Sequence, residues 1–327
     1  ARRIAADATA SATLRDEDPA ALAASYLAGT LPPVAQEALA AFMARFGMRG
    51  VAEIDLGTTR WREQPEGVLR TVATYLTIDP DAGPDVAHER GAAQAEAAIE
   101  TLAGALPAVK AGQLRLLAGR LRRLFGARET PKFTLIRLLG LVRAALQASG
   151  RDLVDAGVLD AADDVFYLLL DELHGTFEAG DTLRARVAER RASRARELRR
   201  TRIPIVLVGD GRTFYSGVTD AGDADLAGTG VSPGVVEGVA RVVDDPRTSE
   251  LLPGEIMVCR GTDPAWTPLF LTASGLITEV GGLMTHGSVV AREYGLPAVV
   301  GVAGATEMLR PGQRIRLDGT AGTISYL

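Results

Sequence analysis

Apolar positions change their spacing partway along the chain. From residue 1 to about 200 they recur three and four apart in a background of Ala, Leu and Arg, all strong helix formers, which predicts a mostly helical half. The spacing predicts a helix over Pro33–Phe46, opened by Pro32-Pro33, with Val34, Ala38, Ala41, Phe42, Ala44 and Phe46 near its apolar stripe. The stretch 86–106 is Ala-rich, and Leu114, Leu117, Leu121 and Leu124 recur as one helix face would. A further helix is expected over 131–148, with Phe133, Ile136, Leu139 and Leu146 among its buried positions. After Pro204 the period shortens. Runs at 203–208, 238–243, 255–259, 275–278, 298–302, 314–317 and 322–326 read as strands, separated by turns such as Asp244-Asp245-Pro246 and Arg310-Pro311-Gly312. Two short helices, over 264–273 and 288–294, fall between them. The expected fold is therefore multidomain α and α/β, with a helical domain over 1–204 and a compact α/β domain over 230–327. The glycine-rich 205–229 between them, with Gly209, Gly211, Gly217, Gly222 and Gly228, reads as a linker or hinge.

Composition narrows the function classes. A net charge of −5 supplies no global basic field for nucleic acid or an anionic membrane. Residues 182–202 do hold nine arginines, but Glu189 and Glu197 interleave with them, as on a solvated helix face. No apolar run approaches the ~18 residues of a membrane span, and the start lacks a signal-peptide core. Cys259 is the only cysteine, which fits a reducing cytoplasm. The missing initiator Met suggests a fragment or a processed product.

One segment carries most of the chemistry. A strand ending at Thr278 runs through Gly281-Gly282 to Thr285-His286-Gly287-Ser288, and then into a helical pattern containing Arg292. Gly281 and Gly282 allow a sharp turn without a Cβ penalty. His286 then falls where a helix begins, beside free N–H groups and the positive end of the dipole. A phosphoryl group on an imidazole nitrogen is favoured there. Thr285, Gly287 and Ser288 are candidate phosphate-supporting neighbours, and Arg292 a candidate cation, although a surface arginine is the alternative. Neutral imidazole is nucleophilic near neutral pH. Neither His88 nor His174 has a spacing that makes a metal site with it, so no metal is expected.

The run Gly281-Gly282-x-x-Thr285-His286, followed by Val289-Val290-Ala291-Arg292-Glu293, resembles the phosphohistidine signature of phosphoenolpyruvate-utilising enzymes. Val231-Ser232-Pro233-Gly234 and Leu296-Pro297-Ala298-Val299-Val300-Gly301 resemble its flanks. Thr262-Asp263-Pro264-Ala265-Trp266, Arg49-Gly50 with Glu53-Ile54-Asp55-Leu56, and Asp163-Asp164-Val165-Phe166-Tyr167 extend the similarity to the rifampin phosphotransferase and phosphoenolpyruvate-synthase-like branch. Met284 departs from the small polar residue many members carry two before the histidine. The resemblance implies a swivelling phosphohistidine domain whose His286 takes the β-phosphoryl of ATP. ATP and magnesium would be held by an ATP-grasp domain of the same polypeptide that this chain lacks, so the chain alone would be inactive with ATP. The group would pass to a hydroxyl of a small-molecule acceptor, a rifamycin first among them, with another metabolite or simple ligand binding as alternatives. Arg128 and Lys132 resemble a cationic pair facing the transfer site, against the plainer reading of a basic helix start. Phe42, Met43, Phe46 and Met48 are either an apolar acceptor pocket or ordinary core.

Overall fold

A computed structural model describes the chain except residues 78–83, 175–179, 201–203, 205, 215–223, 247–248 and 250, and the side chains at 84, 85, 87, 128, 174, 265 and 268. Packing divides it into two compact units that do not follow chain order. One comprises residues 1–45, 64–128 and 216–327, the other 46–63 and 129–215.

In the first unit, helices Ala8–Asp16 and Pro19–Ala28 begin where an aspartate can cap them. Asp7 accepts from the Ala10 N–H at 2.8 Å, and Asp18 from the Ala20 N–H at 2.9 Å, with Pro19 fitting the first helical position. Both helices pack on Glu66–Thr77. Helix Pro33–Phe46 forms where expected, but its buried stripe is Ala35, Leu39 and Met43. Val34 and Ala38 are half-buried and Ala41 and Ala44 exposed. In an alanine-rich helix nearly every face is apolar, so the bulky Leu and Met, not the count of apolar positions, select the core side. The leucine periodicity of Ala108–Phe125 is real but uncovered: Leu117, Leu121 and Leu124 are exposed, and Ala111 is its buried residue.

The same unit holds an eight-stranded sheet. With β1 as Val206–Leu207 and β2 as Thr213–Phe214, its strands are β3 Leu226–Ala227, β4 Thr229–Ser232, β5 Val235–Val242, β6 Glu255–Cys259, β7 Gly275–Thr278, β8 Ala298–Val300, β9 Arg314–Asp318 and β10 Thr323–Tyr326. Their order is β3-β10-β9-β5-β6-β7-β8-β4. The central run β5-β6-β7-β8 is parallel, and β6 and β7 are buried at every position, as strands covered on both faces must be. Gly228 and Gly230 lie within the sheet and are tightly packed. A Cβ at Gly228 would meet the Val300 carbonyl at 2.5 Å, and one at Gly230 the Gly319 carbonyl at 2.4 Å. Gly217 and Gly222 lie outside the described residues. Helix His286–Tyr294 covers one face of the sheet, where Val290 and Ala291 join a core with Met257, Trp266, Phe270 and Leu276. Helix Pro84–Gly104 packs against it, and a side chain at Gly91 would come within 3.3 Å of the Glu293 carbonyl.

In the second unit, helix Glu129–Asp155 packs on the 3-10 turn Ala162–Tyr167, and Gly180–Glu197 closes a core of Leu153, Leu159, Val165, Leu183 and Val187. Of the residues expected to be buried on the first of these helices, Ile136 is, and Phe133, Leu139 and Leu146 are half-buried. β1 and β2 pair as a short antiparallel ribbon. The arginine-rich helix is a structural face. Arg190 and Arg186 grip Glu172, Arg191 meets Asp164, and Arg194 meets Asp55.

Candidate functional site

His286 is the first residue of the nine-residue helix His286–Tyr294, with Thr285 as its N-cap, two positions earlier than the periodicity placed the helix start. The imidazole is half-buried, and its Nε2 lies 3.3 Å from Thr267 Oγ1. Thr267 belongs to the 3-10 turn Pro264–Leu271 and donates its hydroxyl proton to the Pro264 carbonyl at 2.9 Å. Its oxygen therefore offers the histidine a lone pair, which in the neutral imidazole favours the tautomer with hydrogen on Nε2.

The preceding turn is built differently from its sequence reading. Neither Gly281 nor Gly282 takes a left-handed backbone. Gly281 is needed for space, since a Cβ there would sit 3.0 Å from Val300 Cβ and 3.1 Å from Thr278 Oγ1, whereas Gly282 faces open space. The Gly282 carbonyl gathers three donors: the Thr285 amide at 3.1 Å, Thr285 Oγ1 at 2.9 Å and Ser288 Oγ at 2.7 Å. The two hydroxyls also touch each other at 2.9 Å. The Thr285 and Ser288 hydroxyls thus brace the turn. Arg292 is likewise engaged within the fold. Its guanidinium donates to the Leu283 carbonyl at 2.6 Å and the Val231 carbonyl at 3.2 Å, pinning the turn to β4. Gly287 is buried because Thr262 leans on it: a Cβ there would fall 2.3 Å from Thr262 Oγ1.

A cleft of about 340 Å³ opens at the C-terminal ends of β6 and β7 against the start of this helix. Gly261, Thr262, Asp263 and Trp266 line one side, and Thr278, Gly281, Gly287 and Ser288 the other. The C-terminal edge of parallel strands is where α/β sheets bind ligands.

The other candidates belong to other elements. Lys132 is in the second unit, 3.5 Å from Glu53 Oε1. Burial would raise the Glu53 carboxyl, but the Arg49 hydrogen bonds and charge, with Lys132, hold it below the usual range. The Arg128 side chain lies outside the described residues. Met43, in the first unit, and Met48, in the second, are buried core. Met48 packs on Gly140, and the half-buried Phe46 stands edge-on to Phe133 with ring centroids 6.0 Å apart. Phe42 is half-buried. Thr262, Thr267 and Thr278 carry no motif readable along the chain; only the sheet order brings them to the histidine helix.

Residues 251–322, which hold this helix and cleft, match the model of the PEP-utilising enzyme mobile domain. Residues 1–129 match the model of the rifampicin phosphotransferase fourth domain. The chain is 39% identical over 300 residues to a rifampicin phosphotransferase of Streptomyces sviceus, covering 90% of this chain and 34% of the relative. It is 36% identical to one of Bacillus cereus, covering 89% of this chain and 34% of the relative. A Serratia marcescens prodigiosin synthesizing transferase is 30% identical, covering 88% of this chain and 33% of the relative. Over about nine-tenths of its length the chain is similar to the rifampicin phosphotransferases, and it spans about a third of the length of these relatives. No described helix is long and apolar enough to cross a membrane.

Proposed function

We propose that His286 is the phosphoryl carrier of an ATP-dependent phosphotransferase. Its position at the start of a helix, facing Thr267 Oγ1, is the observation that carries this reading. An imidazole nitrogen takes the β-phosphoryl of ATP, AMP and phosphate are released with uptake of water, and the group then moves to an acceptor hydroxyl. In that second step the P–N bond breaks, a P–O bond forms, and the hydroxyl proton leaves to solvent or the imidazole. ATP and magnesium belong to a separate ATP-grasp domain, and this chain alone does not phosphorylate itself from ATP. The acceptor is a rifamycin, in line with the names of the Streptomyces and Bacillus relatives. The name of the Serratia relative favours a second reading, in which the same carrier serves another small molecule. The part of the protein that carries His286 moves between donor and acceptor.

The test is intact-mass analysis after incubation with ATP, magnesium and a separately prepared ATP-grasp domain of a relative. We expect the mass to rise by one acid-labile phosphoryl group in the wild type and not at all in His286→Ala. Labelling that survives the substitution sinks the assignment. Product analysis with rifampicin and with other hydroxyl acceptors then separates the two readings.

A further inference from the structure

The leucine pattern of helix Ala108–Phe125 serves neither the fold nor the carrier reading. Leu114, Leu117, Leu121 and Leu124 follow one another at three, four and three residues, the a and d spacing of a coiled-coil seam. Leu114 is half-buried, whereas Leu117, Leu121 and Leu124 are between 63% and 68% exposed. Scattered apolar side chains on a surface need no explanation, but a contiguous stripe at helical spacing marks a face that packs against another element. The seam is not what seats the helix. It packs on helix Pro84–Gly104, to which Arg115 and Arg122 are tied through Glu100 and Glu96, both at 2.7 Å, and its buried residue is Ala111.

The charge on the same helix says what kind of element fits. Residues 108–125 hold Lys110, Arg115, Arg120, Arg122 and Arg123 and neither aspartate nor glutamate, in a chain whose net charge is −5. Arg120 lies three residues after Leu117 and four before Leu124, so it flanks the seam on the same face, and Lys110 continues the line one turn before Leu114. Both are exposed. A second copy of this helix would set cation against cation along the flank in either direction, which selects against self-pairing. A helix with its own apolar seam and with Asp or Glu beside it answers both features, since it buries the leucines and neutralises the flank. About two thirds of each rifampicin phosphotransferase relative lies outside the segment this chain matches, so polypeptides of that length can supply such a helix in cis.

We infer that the leucine seam of helix Ala108–Phe125 is a docking face for an acidic-flanked amphipathic helix of the same polypeptide, drawn from outside residues 1–327. That helix covers Leu117, Leu121 and Leu124 and sets its carboxylates against Arg120. The seam ends just before the chain passes from the first compact unit to the second, after Arg128, so the docked helix holds the last turns ahead of that crossing. His286 takes no part in the contact, and the inference stands or falls apart from the carrier reading.

The experiment has two arms. In the first, the chain is titrated with a fluorescent helical peptide that carries Leu at its a and d positions and Glu at e and g, and with the same peptide carrying Lys in place of Glu. We expect saturable anisotropy change with the acidic peptide alone, weakened by added salt. Leu121→Gln in the chain should weaken it about tenfold or more, as loss of one buried leucine does, and Arg120→Glu should weaken it too. Both side chains are exposed, so the substituted chains should melt with the wild type, and lost binding then reports the face and not the fold. No saturable binding of the acidic peptide, equal binding of the basic one, or titrations that Leu121→Gln leaves unchanged overturns the docking face. So does sedimentation showing a dimer that Leu121→Gln abolishes, which would make a second copy the occupant, or flotation with phosphatidylglycerol vesicles that the same substitution abolishes, which would make it a membrane. The second arm compares amide hydrogen exchange in the chain and in the intact polypeptide. The amides of residues 117–124 should exchange about tenfold or more slowly in the intact polypeptide, and equal exchange in the two overturns the source in cis.

Discussion

Thr267 has one hydroxyl proton and two neighbours, and its 2.9 Å bond to the Pro264 carbonyl decides which receives it. That bond favours hydrogen on Nε2 in the neutral imidazole. Thr267→Val should convert a single tautomer into a mixture, read from the ¹⁵N shifts of the His286 ring, and an unchanged spectrum would show that the hydroxyl does not set it. Glu172 is a second residue whose chemistry is fixed by its neighbours. Arg190, followed by the Leu169 N–H, pulls its carboxyl from 4.5 down to about 2. A depressed carboxyl adds stability that is fully present above pH 4.5 and lost as pH falls through about 2. Melting temperatures of the wild type should therefore fall more steeply than those of Glu172→Gln across that window, with the two curves converging at its acid end. At this scale His286 was legible because its signature is local. Thr278 was not, because a threonine ending a buried strand looks like any other until the strand order shows what it faces.

The histidine helix depends on close approach at one glycine and not at another. In Gly287→Ala the new methyl would fall 2.3 Å from Thr262 Oγ1, so the Thr262 side chain must turn or the helix start must move. Overpacking of this kind costs about 1–3 kcal/mol. Gly282→Ala meets nothing within 4 Å and should stay within about 0.5 kcal/mol of the wild type. Urea denaturation of both variants checks the contrast, and equal stabilities would mean that the glycine pair serves only the turn. Strands β6 and β7 have the bounds that their β-branched runs announced, since a strand buried on both faces is a continuous apolar run. β3 and β4 escaped notice because Leu226–Ser232 is glycine-broken and polar. Those glycines pack against backbone carbonyls of β8 and of the turn between β9 and β10, a constraint that no local pattern encodes.

At the scale of the whole molecule, composition and compactness divide the chain at different places. The change of grammar near residue 204 correctly separates helical from α/β composition, yet the compact units cut across it, because their defining contacts join residues far apart in sequence. In the second unit the clearest of these is Arg143, 1% exposed, whose guanidinium holds the Glu63 carboxylate at 2.7 Å and the Leu56 carbonyl at 2.6 Å and lies 4.6 Å from the Phe166 ring centroid. A buried guanidinium stripped of its carboxylate is costly, roughly 3–5 kcal/mol, while a neutral amide in its place recovers part of the hydrogen bonding. Glu63→Gln should therefore destabilise the second unit by about 1–3 kcal/mol, and Glu63→Ala by more. If the units are separately cooperative, amide hydrogen exchange in Glu63→Gln will quicken across 46–63 and 129–155 while β5 to β9 of the sheet keep wild-type protection. Uniform quickening over both would instead mean that the chain unfolds as a single body, and that residues 1–327 share one stability whatever the pattern of their packing.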